Sequence, residues 1–118
     1  EALRDDAPGA SAVCRIYLPP GAGDGHFYGR DDGECQATLA AHPRFVLEDP
    51  AFFRLYVADR GTCASGTIPV YRLFSQRADA NHRYTTNRAL RDAMVARGWL
   101  AEGDGPDTVL MCAPAPGA

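Results

Sequence analysis

Val70-Tyr71-Arg72-Leu73-Phe74 repeats, in kind and order, an earlier stretch, Val13-Cys14-Arg15-Ile16-Tyr17. Each places an arginine among apolar residues, the pattern of an apolar strand. Further matches follow outward from this pair. His26-Phe27-Tyr28 corresponds to His82-Arg83-Tyr84. Cys35-Gln36-Ala37-Thr38-Leu39-Ala40 corresponds to Arg91-Asp92-Ala93-Met94-Val95-Ala96, and Phe45-Val46-Leu47-Glu48 to Trp99-Leu100-Ala101-Glu102. Phe52-Phe53-Arg54-Leu55-Tyr56 corresponds loosely to Val109-Leu110-Met111-Cys112. The offset drifts only from 57 (13 to 70) to 54 (45 to 99), which loop-length changes explain. Self-similarity at one spacing is the mark of an internal duplication.

Both halves therefore predict one plan. An apolar strand comes first, then a turn rich in Gly, Asp and Asn (residues 21–25 and 76–81), then the short His-x-Tyr strand as the return of a hairpin. A helix follows. Asp31 or Asp32 can cap the first helix, which must end before Pro43. Thr86 or Asn87 can cap the second, Leu90, Met94 and Val95 give it an apolar face, and Gly98 suits a left-handed stop. A strand carrying an aromatic and a glutamate comes next, and a last apolar strand closes the unit. The expected fold is α+β, with two similar ββαββ units forming one small disulfide-stapled domain. The expected organisation is a linker at 1–11, a single domain at 12–114 (unit one about 12–60, unit two about 61–114) and a tail at 115–118.

The 118 residues are 46% hydrophobic and 23% charged, the composition of a folded domain. A net charge of −3 disfavours nucleic acid or an anionic membrane surface as partner, since both call for a basic face. No apolar run approaches the ~20 residues of a membrane span. Without a signal peptide, the chain reads as a mature product or an excised piece. All twelve basic residues are arginine, so there is no lysine for Schiff-base chemistry or a phosphate loop.

Four cysteines, Cys14, Cys35, Cys63 and Cys112, lie too far apart for a Cys-x-x-Cys motif. An even, widely spaced set in a small domain points to two disulfides and a secreted or cell-surface location. Three pairings are open. The repeat favours Cys14–Cys35, because both positions lose cysteine together in the second half, where Tyr71 and Arg91 stand. Cys63 then pairs with Cys112, stapling the entry of unit two to its last strand.

The run Val70-Tyr71-Arg72-Leu73-Phe74, Asn81-His82-Arg83-Tyr84-Thr85-Thr86, Arg91-Asp92 and Gly98-Trp99-Leu100-Ala101-Glu102-Gly103 resembles an uncharacterised family of exported bacterial repeats, with consensus VYRLYN…HFYTT…GW.YEG. The resemblance covers about residues 13–114 and is strongest in the second half. In the first half Gly29-Arg30 replaces Thr-Thr, and Pro43-Arg44-Phe45 replaces Gly-Trp. The resemblance implies an accessory module of secreted hydrolases or surface proteins, with glycan or cell-wall binding suspected and no agreed catalytic residues.

Candidate ligand-binding residues are His26, Tyr28, His82 and Tyr84. On a strand, residues i and i+2 share a face, and a tyrosine ring stacks on a sugar while its hydroxyl bonds. The plainer alternative is that they fix turns by bonding the backbone. Arg15 with Glu48, and Arg72 with Glu102, are expected as structural ion pairs, for which the planar guanidinium fork is suited. Asp24, Asp31, Asp32 and Glu34 cluster as calcium ligands would, but without EF-hand spacing, so capping explains them more simply and no metal or other cofactor is expected. No serine lies in G-x-S-x-G, and bridged cysteines make poor nucleophiles. Glu48 and Glu102 as a glycosidase pair would occupy one repeated position, where ion pairing is the cheaper account. Trp99, Phe45, Phe52, Phe53, Leu90 and Met94 are expected in the core. The expected function is a non-catalytic extracellular binding module of a larger parent protein, for carbohydrate or a cell-envelope polymer. A small secreted hydrolase and a purely structural interaction domain are the alternatives.

Overall fold

A computed structural model describes residues 10–22, 25–56, 58–76 and 81–115. The elements in chain order are β1 (Ala10–Leu18), β2 (Gly25–Gly29), α1 (Asp32–Ala41), β3 (Val46–Tyr56), β4 (Thr67–Phe74), β5 (His82–Thr85), α2 (Arg88–Ala96), β6 (Leu100–Glu102) and β7 (Met111–Pro114). Residues 1–9 of the expected linker (1–11), residues 116–118 of the expected tail (115–118) and Asp24 lie outside the described residues. Ala10 and Ser11, expected in the linker, already pair with Tyr56 and Leu55.

The fold corrects the α+β expectation. Among the described residues strand accounts for 48% and helix for 19%, and the seven strands join one curled, half-barrel sheet. Its order is β2-β1-β3-β7-β4-β5, with β6 beside β4. Two physical causes remove the ββαββ units. First, the two strands expected from Phe45-Val46-Leu47-Glu48 and Phe52-Phe53-Arg54-Leu55-Tyr56 are one, β3, which runs through Pro50 for 11 residues. Arg15 pairs with Asp49 and Val13 with Phe53, leaving three residues of β3 opposite Cys14 alone. In such a bulge Pro50 needs no N–H for the ladder. Asp49 Oδ1 accepts the Ala51 N–H at 2.9 Å, satisfying the backbone there. Second, β7 does not close a separate second unit. It pairs with β4 along residues 111–114 and with β3 at Tyr56–Cys112, welding the halves into one sheet.

The core follows from strand alternation. Cys14, Ile16 and Leu18 of β1 are buried with Phe27 and Cys35, with Leu39 and Phe45 packed alongside. Val13 points the other way, into a cluster with Leu55, Val70, Leu110, Met111 and Ala113. Tyr71, Val109 and Cys112 form a third cluster near Cys63. The disulfides are Cys14–Cys35 and Cys63–Cys112.

Asp31 caps α1 by accepting from Glu34 N, and Asn87 caps α2 by accepting from Leu90 N. Gly98 takes φ +99°, the left-handed stop that a side chain would resist. α2 buries Met94, but Val95 is exposed, and Arg91 takes the buried place instead. Its guanidinium lies 4.8 Å over the Tyr71 ring, a cation–π contact. Tyr71 and Arg91 are the counterparts of Cys14 and Cys35. The same helix-to-strand contact is thus covalent in the first half and cation–π in the second. Phe52 is exposed rather than in the core.

Candidate functional site

The hub of the candidate site is Arg72, on β4. Register puts it directly opposite Tyr84 of β5 on one side and Glu102 of β6 on the other. Its residue exposure is only 5%, so its charge needs partners. Nε donates to Glu102 Oε1 at 2.8 Å. The two terminal nitrogens donate to the two oxygens of Glu34, at 2.9 and 2.6 Å, in a bidentate fork. A longer bond, 3.3 Å, reaches the Tyr28 carbonyl. The guanidinium also lies 4.5 Å over the Phe27 ring.

Glu34 is the residue that sequence reasoning missed as a partner. It sits in the first turn of α1, where Asp31 caps, and it also accepts the Arg30 N–H at 2.9 Å. Its counterpart in the second half is Leu90, so comparing the halves hides it. Burial alone would raise the Glu34 pKa, but the bonds and charge of Arg72, with Arg30, hold it below the usual carboxylate value. Burial likewise opposes ionisation of Glu102, and His82 and Arg72 together hold its pKa down. Tyr84 goes the other way: burial pushes its phenol well above the usual value, outweighing the nearby Arg72.

The sequence-predicted residues fall into two sets. His82 Nε2 is 3.4 Å from Glu102 Oε1, and its ring is held between the Phe74 face and the Phe27 edge. Its side chain is 10% exposed, and its buried Nδ1 has no partner. The first half repeats this trio in a more open form. His26 Nε2 lies 3.0 Å from Glu48 Oε1 and 3.1 Å from an Arg15 terminal nitrogen. Arg15 Nε is 3.1 Å from Glu48 but not in hydrogen-bonding direction, so that contact is Coulombic. The tyrosines form the second set and meet each other. The Tyr84 hydroxyl donates to the Tyr28 carbonyl at 2.8 Å and accepts the Tyr28 N–H at 2.7 Å. It stands where a neighbouring strand would, and so ties β5 to β2.

Around Arg72 opens a cleft of about 380 Å³. Phe27, Phe45, Phe74 and His82 give it ring surfaces, and Glu34 and Glu102 give it carboxylates. Phe45, expected in the core, is half-buried in this wall, with the exposed His42 stacked on it at 4.3 Å. A second cleft of about 220 Å³ is apolar, lined among others by Tyr28, Phe52, Phe53 and Met111. Among the described residues, no group of three or more His, Cys, Asp or Glu side chains is placed to hold a metal ion. No described helix is long and apolar enough to cross a membrane.

These features define a mostly β, doubly disulfide-bonded domain with an arginine-centred cleft walled by rings and carboxylates. Residues 2–106 match the family described as Domain of unknown function (DUF5648), and the chain belongs to that family. No curated protein and no solved structure matches it.

Proposed function

We propose that the chain is a non-catalytic binding module of an exported bacterial protein, and that the cleft around Arg72 receives a glycan of the cell envelope or surroundings. The observation that carries this reading is the composition of the cleft wall. Aromatic rings offer apolar faces to the C–H face of a sugar, and fixed carboxylate oxygens accept its hydroxyls. A glycosidase needs one carboxyl kept protonated by a raised pKa. Glu34 is held below the usual value by Arg72, and Glu102 by His82 and Arg72 together, which weighs against the hydrolase alternative. The disulfides fit an oxidising compartment. The matched Arg–Glu–His trios support descent of the two halves from one duplicated sequence.

The test is a glycan array probed with the wild type, His82→Ala, Phe45→Ala and, as a remote control, Asp107→Ala. Signal for the wild type and the control, lost in the two cleft variants, is the expected result. Circular dichroism melts establish that the variants are folded. A blank array for the wild type overturns the reading and leaves the domain as a structural spacer.

A further inference from the structure

A cleft that takes glycans must still discriminate among sugars, and the hydrogen-bond inventory of this wall restricts them. Among the described residues, the side-chain donors of Arg72 and Thr38 are committed within the protein. Arg72 gives its bonds to Glu102, Glu34 and the Tyr28 carbonyl. Thr38 donates its hydroxyl to the Glu34 carbonyl at 2.8 Å. His82 Nε2 faces Glu102, so its hydrogen belongs on that nitrogen and Nδ1 carries a lone pair. Exposed His42 adds the remaining imidazole. Acceptors, by contrast, are left over. Arg72 and His82 both address Oε1 of Glu102, and neither engages its Oε2. Glu34 Oε2 takes a single bond, from Arg72. Nδ1 of the nine-tenths-buried His82 is unpartnered in the same wall. Charge points the same way, since two carboxylates face one guanidinium.

We infer, resting on the glycan reading of this site, that the cleft selects an amino sugar with a free, protonated nitrogen over its N-acetylated or uronic relatives. An ammonium brings three donors, no acceptor and a positive charge, which complements leftover carboxylate oxygens. N-acetylation removes the charge and adds a carbonyl that meets no free donor on Arg72 or Thr38. A uronate adds two acceptor oxygens and a negative charge beside Glu34 and Glu102, a like-charge contact. The salt bridges already present keep Arg72 from answering that anion.

Isothermal titration of the full chain with three oligosaccharides of equal length tests this: a glucosamine oligomer, its fully N-acetylated counterpart and a galacturonate oligomer. Near-neutral pH and low salt keep the carboxylates charged and a share of the amine protonated without driving a second proton onto imidazole rings. The glucosamine oligomer binds at least about tenfold more tightly than the N-acetylated one, a gap of about 1.4 kcal/mol, and the galacturonate does not bind. Added salt narrows the gap, as does Glu102→Gln. Equal or tighter binding of the N-acetylated or uronic oligomer overturns the charge selection while leaving a glycan site in place. No binding of any of the three also overturns it. If the array is blank as well, the glycan reading fails with it.

Discussion

Arg72 is a buried cation whose stability depends on two carboxylates from different parts of the chain. Removing one partner leaves the other to carry the charge, so Glu34→Ala and Glu102→Ala are each expected to cost about 2–4 kcal/mol. Asp107→Ala breaks only an exposed pair with Arg88, with side chains 46% and 60% exposed, and should cost about 0.5 kcal/mol or less. Urea melts with equal midpoints for the three variants would contradict the assignment. The same carboxylates set an acid limit. In the fold their pKa values lie below the ordinary 4.5, so the unfolded chain takes up their protons first as pH falls. Their contribution is complete above about pH 4.5 and is lost as pH drops through the folded values. Tyr84 sets an alkaline limit with the opposite sign. Its folded pKa lies above the ordinary 10.0, so its contribution holds below that value and disappears at higher pH. A thermal-melt series across pH checks both edges, and Tyr84→Phe should remove the alkaline one. Gly29 is the third decisive residue. A Cβ there would come within 2.4 Å of Cys35 Sγ and 2.8 Å of Cys14 Sγ. Gly29→Ala should therefore cost about 1–3 kcal/mol by overpacking, and less in a Cys14→Ala/Cys35→Ala background. The second half has no disulfide at this place and carries Thr85 in the position of Gly29, which gives the departure from the repeat a steric reason.

At the scale of elements, the hairpins are legible because their signals are local. The apolar runs Val13 to Tyr17 and Val70 to Phe74, capping by Asp31 and Asn87, and the Gly98 stop each depend on a few neighbouring residues. The ion pairs Arg15–Glu48 and Arg72–Glu102 can be reached because each recurs in both halves. Glu34 cannot, since it crosses from one half to the other and has no counterpart. The continuity of β3 is also hidden: a proline reads as a break unless the partner strand supplies a bulge at that point, and only the pairing with Val13 and Arg15 reveals it. The burial of Arg91 in place of Val95 has the same origin, for the ring of Tyr71 beneath it is a tertiary fact. The Tyr84–Tyr28 contact gives a prediction at this level. Tyr84→Phe leaves the Tyr28 N–H and carbonyl without the hydroxyl, and should cost about 1–3 kcal/mol. Hydrogen exchange at Tyr28 should quicken beyond the change at Ile16. Unchanged protection at Tyr28 would mean that the hydroxyl does not hold the β2–β5 seam.

The whole molecule is a single curled sheet because its last strand, β7, lies between the two halves. Strand order of this kind rests on contacts far apart in sequence and leaves no local trace, which is why the chain reads as two ββαββ units and folds as one sheet. Cys63–Cys112 anchors that last strand and closes a loop of 49 residues, against 21 for Cys14–Cys35. Loop entropy alone makes the longer bridge worth about 0.7 kcal/mol more. Replacing both members of a bridge by alanine should therefore cost more at Cys63 and Cys112 than at Cys14 and Cys35, as read from melting temperature. On this frame the halves contribute together to the cleft: α1 brings Glu34, β2 brings Phe27, and β4, β5 and β6 bring Arg72, Phe74, His82 and Glu102. An NMR titration of the labelled chain with the glucosamine oligomer and its N-acetylated counterpart asks most directly whether that cleft is where a ligand sits. The amide resonances of Phe27, Thr38, Phe45, Phe74 and His82 should shift together and saturate. Shifts gathered instead at Phe52, Phe53 and Met111, or none with either oligomer, would contradict it.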